Sequence, residues 1–236
     1  MQRAGRVSLA YAVAFAAFLV VPVAFRTQAP WPFPKGVYWQ EVLDLLTPVV
    51  LIPLSWLLCS LDDAGTRPGR GVQLAFLVMA AVWVEGQGVH LAANSIARPW
   101  EHAPAPTGAL AEWYDGILSH YLWHVGIVGI WAIAIARSLA HPIRDRLAPR
   151  TELVAAALVL GVTWFAVMIE SGTEPLTLPF TVAAALVVAV QGRPRIASTP
   201  VASFLGGAFA VSLLLVAAWA IRWGGQLPQF TEVGLL

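Results

Sequence analysis

Apolar blocks of about twenty residues recur along the whole chain, the length a helix needs to cross a bilayer core of ~30 Å. Lipid offers no hydrogen-bond partners, so each block must satisfy its own backbone, and that makes the blocks helices. The alternating ten-residue segments of a membrane barrel are missing from the sequence. Composition agrees. Of 236 residues, 58% are hydrophobic and 11% charged, whereas a water-facing domain carries about 25% charged residues. The sequence therefore predicts an all-α, polytopic membrane helix bundle forming a single integral membrane domain over 1–236. Seven spans are expected, at 7–25, 42–61, 72–95, 112–136, 153–171, 176–191 and 202–222. The first is read as a span rather than a signal peptide, because its apolar run exceeds a typical h-region.

The basic residues give the orientation. With the N-terminus inside, the inner segments hold Arg3, Arg6, Arg67, Arg70, Arg137, Arg144, Arg146, Arg150, Arg193 and Arg195. The outer segments hold Arg26, Lys35, Arg98 and Arg222. Cytoplasmic loops are the Lys/Arg-rich ones, and the bias alternates correctly at every loop. A bacterial plasma membrane is the expected location. The net charge of +1 gives no case for a nucleic-acid partner. Cys59, the one cysteine, excludes an intrachain disulfide and a multi-cysteine metal site.

Ionisable residues inside a span cost roughly 3 kcal/mol or more at mid-helix, so they mark functional candidates. Two spans are rich in them. On the third, Gln87, His90 and Asn94 fall within about 60° on a helical wheel, while Glu85 points to another side. Gly86 and Gly88 leave room for a neighbouring helix. On the fourth, His120 and His124 lie about 40° apart, beside a stripe of Glu112, Asp115 and Ser119. The fifth span ends in Glu170, and Asp44 lies near the start of the second. The alternation of spans brings all of these to the outer half of the membrane. Glu101 and His102, in an outer loop, are expected to be solvent-exposed.

Two imidazoles four residues apart on a helix can share one ion. His90 from a facing helix makes a third ligand, and three ligands plus an open position is the arrangement of catalytic zinc. Asp115, Glu112 and Glu85 are candidates for a fourth ligand, an orienting carboxylate or a general base. Gln87 and Asn94 are candidates to hold a substrate carbonyl or the free ring nitrogen of His90; Ser119 and Glu170 complete the candidate substrate contacts. The competing reading is that these residues only bond from helix to helix.

The lone His90 with His120-x-x-x-His124 on seven spans resembles the membrane hydrolases grouped with alkaline ceramidases and adiponectin receptors. The resemblance implies three zinc-binding histidines, here His90, His120 and His124, and cleavage of amide or other bonds in lipids. The sequence departs from that pattern in carrying the pair on the fourth span rather than the last. It also has Gly86 where the group has serine.

The expected function is thus a zinc-dependent membrane hydrolase acting on a lipid or small amphiphile from an outward-facing site. Three alternatives stay open. Mixed His and carboxylate ligands suit non-haem iron. His90 opposite His120 or His124 suits haem. A transporter, or a non-enzymatic subunit with a membrane-complex partner, also tolerates intramembrane Glu and His.

Overall fold

The computed structural model describes residues 2–24, 38–61, 68–97, 105–143, 151–192 and 197–235. Arg26, Lys35, Arg67, Arg98, Arg144, Arg146, Arg150, Arg193 and Arg195 lie outside the described residues, as do Glu101 and His102.

The elements are α1 (Gln2–Ala24), α2 (Trp39–Cys59), α3 (Arg70–Ala97), α4 (Ala105–Glu112), α5 (His120–Ala140), α6 (Thr151–Glu170), α7 (Glu174–Val187) and α8 (Pro200–Arg222). A π-helical segment, Trp113–Ser119, joins α4 to α5, and a second, Val188–Gly192, ends α7. Seven helical stretches are long and apolar enough to cross a membrane. They match the seven expected spans, with α4, the first π segment and α5 forming one. The expected sixth span, 176–191, is realised as Glu174–Gly192. Among the described residues there is no extended strand.

Six helices close a ring. α1 packs on α2, α2 on α3, α3 on α5, α5 on α8, α8 on α6, and α6 back on α1. α7 stands outside it against α8, touching α5 and α6. The ring is filled by large aromatics. Trp131 is 1% exposed and meets Phe15, Trp164 and Phe209 at ring-centroid distances of 5.5, 4.7 and 5.5 Å. A buried indole N–H needs an acceptor. Trp131 Nε1 donates to the Tyr11 hydroxyl at 2.7 Å, and Trp164 Nε1 donates to Thr181 Oγ1 at 2.9 Å. Small residues set the helix spacing, as they must where lipid supplies no hydrophobic drive between helices.

Candidate functional site

The site is built where α3 crosses α5. Both helices carry the pattern Trp-x-x-Gly: Trp83 with Gly86, and Trp123 with Gly126. A Cβ on Gly86 would lie 2.5 Å from the Trp123 amide nitrogen, and one on Gly126 would lie 2.6 Å from that of Trp83. Each glycine thus receives the backbone of the other helix's tryptophan. The crossing fixes His90, one turn beyond Gly86, against His120, just before Trp123. Their ring centroids are 5.3 Å apart, with planes tilted by 33°. Gly88, which the sequence offered as a second close approach, has nothing within 4 Å of its Cβ position.

Both imidazoles border a cavity of about 370 Å³. Asp44, Gln87, Ser119 and Glu170 supply polar wall; Leu19, Ala166 and Val167 supply apolar wall. The start of α2, the end of α3, the start of α5 and the end of α6 therefore converge at one end of the ring. Adjacent antiparallel helices bring these ends together.

His90 sits between two carboxylates. Its Nδ1 is 2.8 Å from Asp115 Oδ1, an ion-pair distance without hydrogen-bond alignment. Its Nε2 is 3.6 Å from Asp44 Oδ2 and 3.4 Å from the Asn94 amide nitrogen. Asn94 is thus placed as one of its two expected roles required, on the ring nitrogen of His90. His120 Nδ1 lies 3.2 Å from the Ser171 carbonyl. A carbonyl only accepts, so Nδ1 is the donor there and Nε2 keeps its lone pair.

The π-helical segment explains the position of Asp115. In a π turn hydrogen bonds run i→i+5, so each residue advances through a smaller angle than in an α-helix. The regular wheel aligned Glu112 with Asp115 and Ser119. Instead Glu112 is exposed, Asp115 is half-buried on His90, and Ser119 is buried with its hydroxyl donating to the Asp115 carbonyl. Glu85 is exposed on α3 and, like Glu112, does not border the cavity. Gln87 is buried and borders it.

His124 is not brought to the cavity. It is fully buried, its Nδ1 is 2.9 Å from Thr173 Oγ1, and its ring stands edge-on to Trp164 at 5.4 Å. Thr173 Oγ1 also bonds Ser171 Oγ at 2.8 Å. The residue four along from His120 thus ties α5 to the turn between α6 and α7.

Glu170 borders the cavity, but one of its oxygens is engaged. Oε2 accepts from the Phe230 amide at 2.8 Å and the Thr231 amide at 3.3 Å. The chain after α8 folds back so that Phe230 and Leu235 border the cavity too. Neither was a candidate from sequence, since the tail carries no ionisable motif that points inward. Glu41 was also missed. It is buried at the start of α2, accepts from the Tyr38 amide at 2.8 Å and from Ser95 Oγ at 3.3 Å, and so joins α2 to the end of α3. Its spacing of three from Asp44 was the available signal.

Among the described residues, no three His, Cys, Asp or Glu side chains stand as a ready-made metal-binding group. The chemistry of the donors nevertheless fits an ion at His90 and His120. A ligating histidine directs its other ring nitrogen to a carboxylate or carbonyl, which is what the Nδ1 atoms of both residues do. Two ligands ~2.0–2.2 Å from a tetrahedral ion stand roughly 3.4 Å apart, near the 3.6 Å between His90 Nε2 and Asp44 Oδ2. His124 is not brought to this pair: it does not border the cavity, its Nδ1 meets Thr173, and its Nε2 is buried without a hydrogen-bond partner among the described residues. No protein-family model, curated protein or solved structure matches the chain, so the site is read from its own residues.

Proposed function

We propose that the protein is an integral membrane, metal-dependent hydrolase that acts on a lipid or other small amphiphile within this cavity. One observation carries the reading: two adjacent imidazoles, each with Nδ1 turned to a carboxylate or carbonyl, face a cavity that also holds Asp44. In this reading His90 Nε2, His120 Nε2 and Asp44 hold a divalent ion, with zinc the first candidate. Held there, the ion supplies Lewis acidity to an ester or amide carbonyl.

The chain's own groups do the rest. Asp115 fixes the ring orientation and tautomer of His90. Asn94, whose amide nitrogen stands 3.4 Å from His90 Nε2, would yield the lone pair of that ring nitrogen to the ion. Gln87, buried at the cavity wall, offers an amide to a substrate carbonyl. The Asp44 oxygen not used as a ligand would take a proton from the water that attacks the carbonyl and return it to the leaving alcohol or amine. Leu19, Ala166 and Val167 accept an apolar chain and exclude water. In this reading the cavity faces the outer side of a bacterial plasma membrane, an orientation that the distribution of basic residues favours.

Metal analysis of protein purified without chelators tests the reading, together with hydrolysis of a panel of lipid esters and amides. About one zinc per chain is expected, retained in His124→Ala and lost in His120→Ala, with hydrolysis following the metal. Iron or a haem absorption band would move the assignment to a redox protein. Metal-free wild type without hydrolase activity would end it.

A further inference from the structure

Beyond α8 the chain reverses. Gly224 and Gly225 have φ of +62° and +92°, which glycine adopts without steric cost. The Gly225 amide closes on the Ala220 carbonyl at 2.7 Å. The reversal returns residues 226–235 over the ends of α6 and α8. Trp219 Nε1 donates to the Pro228 carbonyl at 3.0 Å, and Phe230 packs against Trp219 and Phe165 at 5.0 and 5.7 Å. The returning segment has an internal cap as well, from the Gln229 amide to Glu232 Oε2 at 2.9 Å.

Two features set this segment apart from ordinary tail packing. It supplies part of the cavity wall, through Phe230 and Leu235. Two of its successive backbone amides, those of Phe230 and Thr231, also share one carboxylate oxygen, Glu170 Oε2. Glu170 itself borders the cavity. A ligand reaching the cavity therefore meets the group that fastens its cover.

The geometry points to a gate: residues 223–235 are a hinged strap, latched by Glu170, that opens at Gly224–Gly225 to admit a ligand to the cavity. Glu170 acts here as a positioning residue, through Phe230 and Thr231. The inference holds whatever chemistry the cavity performs.

The test is thiol accessibility in the full chain, reconstituted in phosphatidylcholine vesicles. Val167→Cys places a reporter in the cavity wall, and Cys59→Ala removes the native thiol. A charged, water-soluble methanethiosulfonate reagent is the probe. Its labelling rate follows the open population when opening is fast relative to labelling. Two amide bonds to a carboxylate are lost in Glu170→Ala, so labelling should rise about 10- to 100-fold, with Glu170→Gln in between. Phe230→Ala, which removes the cover and leaves the latch residue intact, should raise labelling as well. It stands in if Glu170→Ala fails to fold. Circular dichroism confirms the helices in each variant. Equal rates in wild type and in whichever of these variants fold would overturn the proposal.

Discussion

Gly86 of α3 and Trp123 of α5 are in backbone contact, and the contact is repeated in reverse by Gly126 and Trp83. A methyl group at position 86 has no space, because the nearest atoms are backbone and cannot rotate away. Gly86→Ala should therefore push the helices apart and cost about 1–3 kcal/mol. Gly88→Ala, with open space around it, should be neutral or slightly stabilising through helix propensity. Thermal denaturation of both variants in detergent checks the contrast. Equal melting temperatures would refute the crossing described above.

The two histidines of the fourth span should separate in their effects. His120→Ala removes a cavity imidazole and should abolish metal retention. His124→Ala should retain metal and lower stability by about 1–3 kcal/mol, by removing a buried ring and its hydrogen bond to Thr173, which keeps Ser171 as a side-chain partner. Thr173→Val should reproduce that loss of stability. Metal content and melting temperature, measured on the same samples, decide the matter. A loss of metal in both variants would restore the ligand set expected from the sequence.

Asp115 contacts His90 only from behind. Asp115→Asn keeps the shape but weakens the hold on the ring, so metal affinity should fall about 10- to 100-fold. Asp44→Asn removes a proposed ligand charge and should fall further. Competition with a fluorescent zinc chelator measures both. Asp115→Asn with unchanged affinity would exclude the orienting role.

Tyr11→Phe should destabilise the bundle by about 1–3 kcal/mol, because the Trp131 N–H would remain buried without its acceptor. Exchanging Trp131 for Phe in the same chain should cost less than the sum of the single losses, since both polar groups then leave together. A chemical denaturation cycle on the four proteins measures the coupling.

The spans were legible because length and hydropathy alone decide whether a segment can lie in lipid. His90 and Asn94 were legible for a related reason: α3 is regular there, so a 100° wheel places them correctly. The wheel failed at Glu112 because the backbone is π-helical over Trp113–Ser119, and nothing in Trp-Tyr-Asp-Gly-Ile-Leu-Ser announces a change of helical pitch. His124 misled in another way. It does lie near His120 on one helix, but Trp123 and the turn at Thr173 settle which nitrogen meets which partner. That is long-range packing. Asp44 could be placed toward the same end of the bundle as His90 yet not against it, since sequence does not say which helices adjoin. Phe230 and Leu235 reach the cavity only because two glycines turn the chain back.

The π-helical segment has a consequence for how such a site changes over time. It stores one surplus residue between Asp115 and His120. Removing a residue from 116–118 would restore α-helical pitch and leave Asp115 on much the same side relative to His120, because five steps of a π turn and four of an α turn cover nearly the same rotation. The packing of α5 would stay where its Trp-x-x-Gly crossing holds it. The segment is a buffer between a carboxylate and an imidazole: it takes up one residue while keeping the two in phase, and the bundle that carries both is left standing.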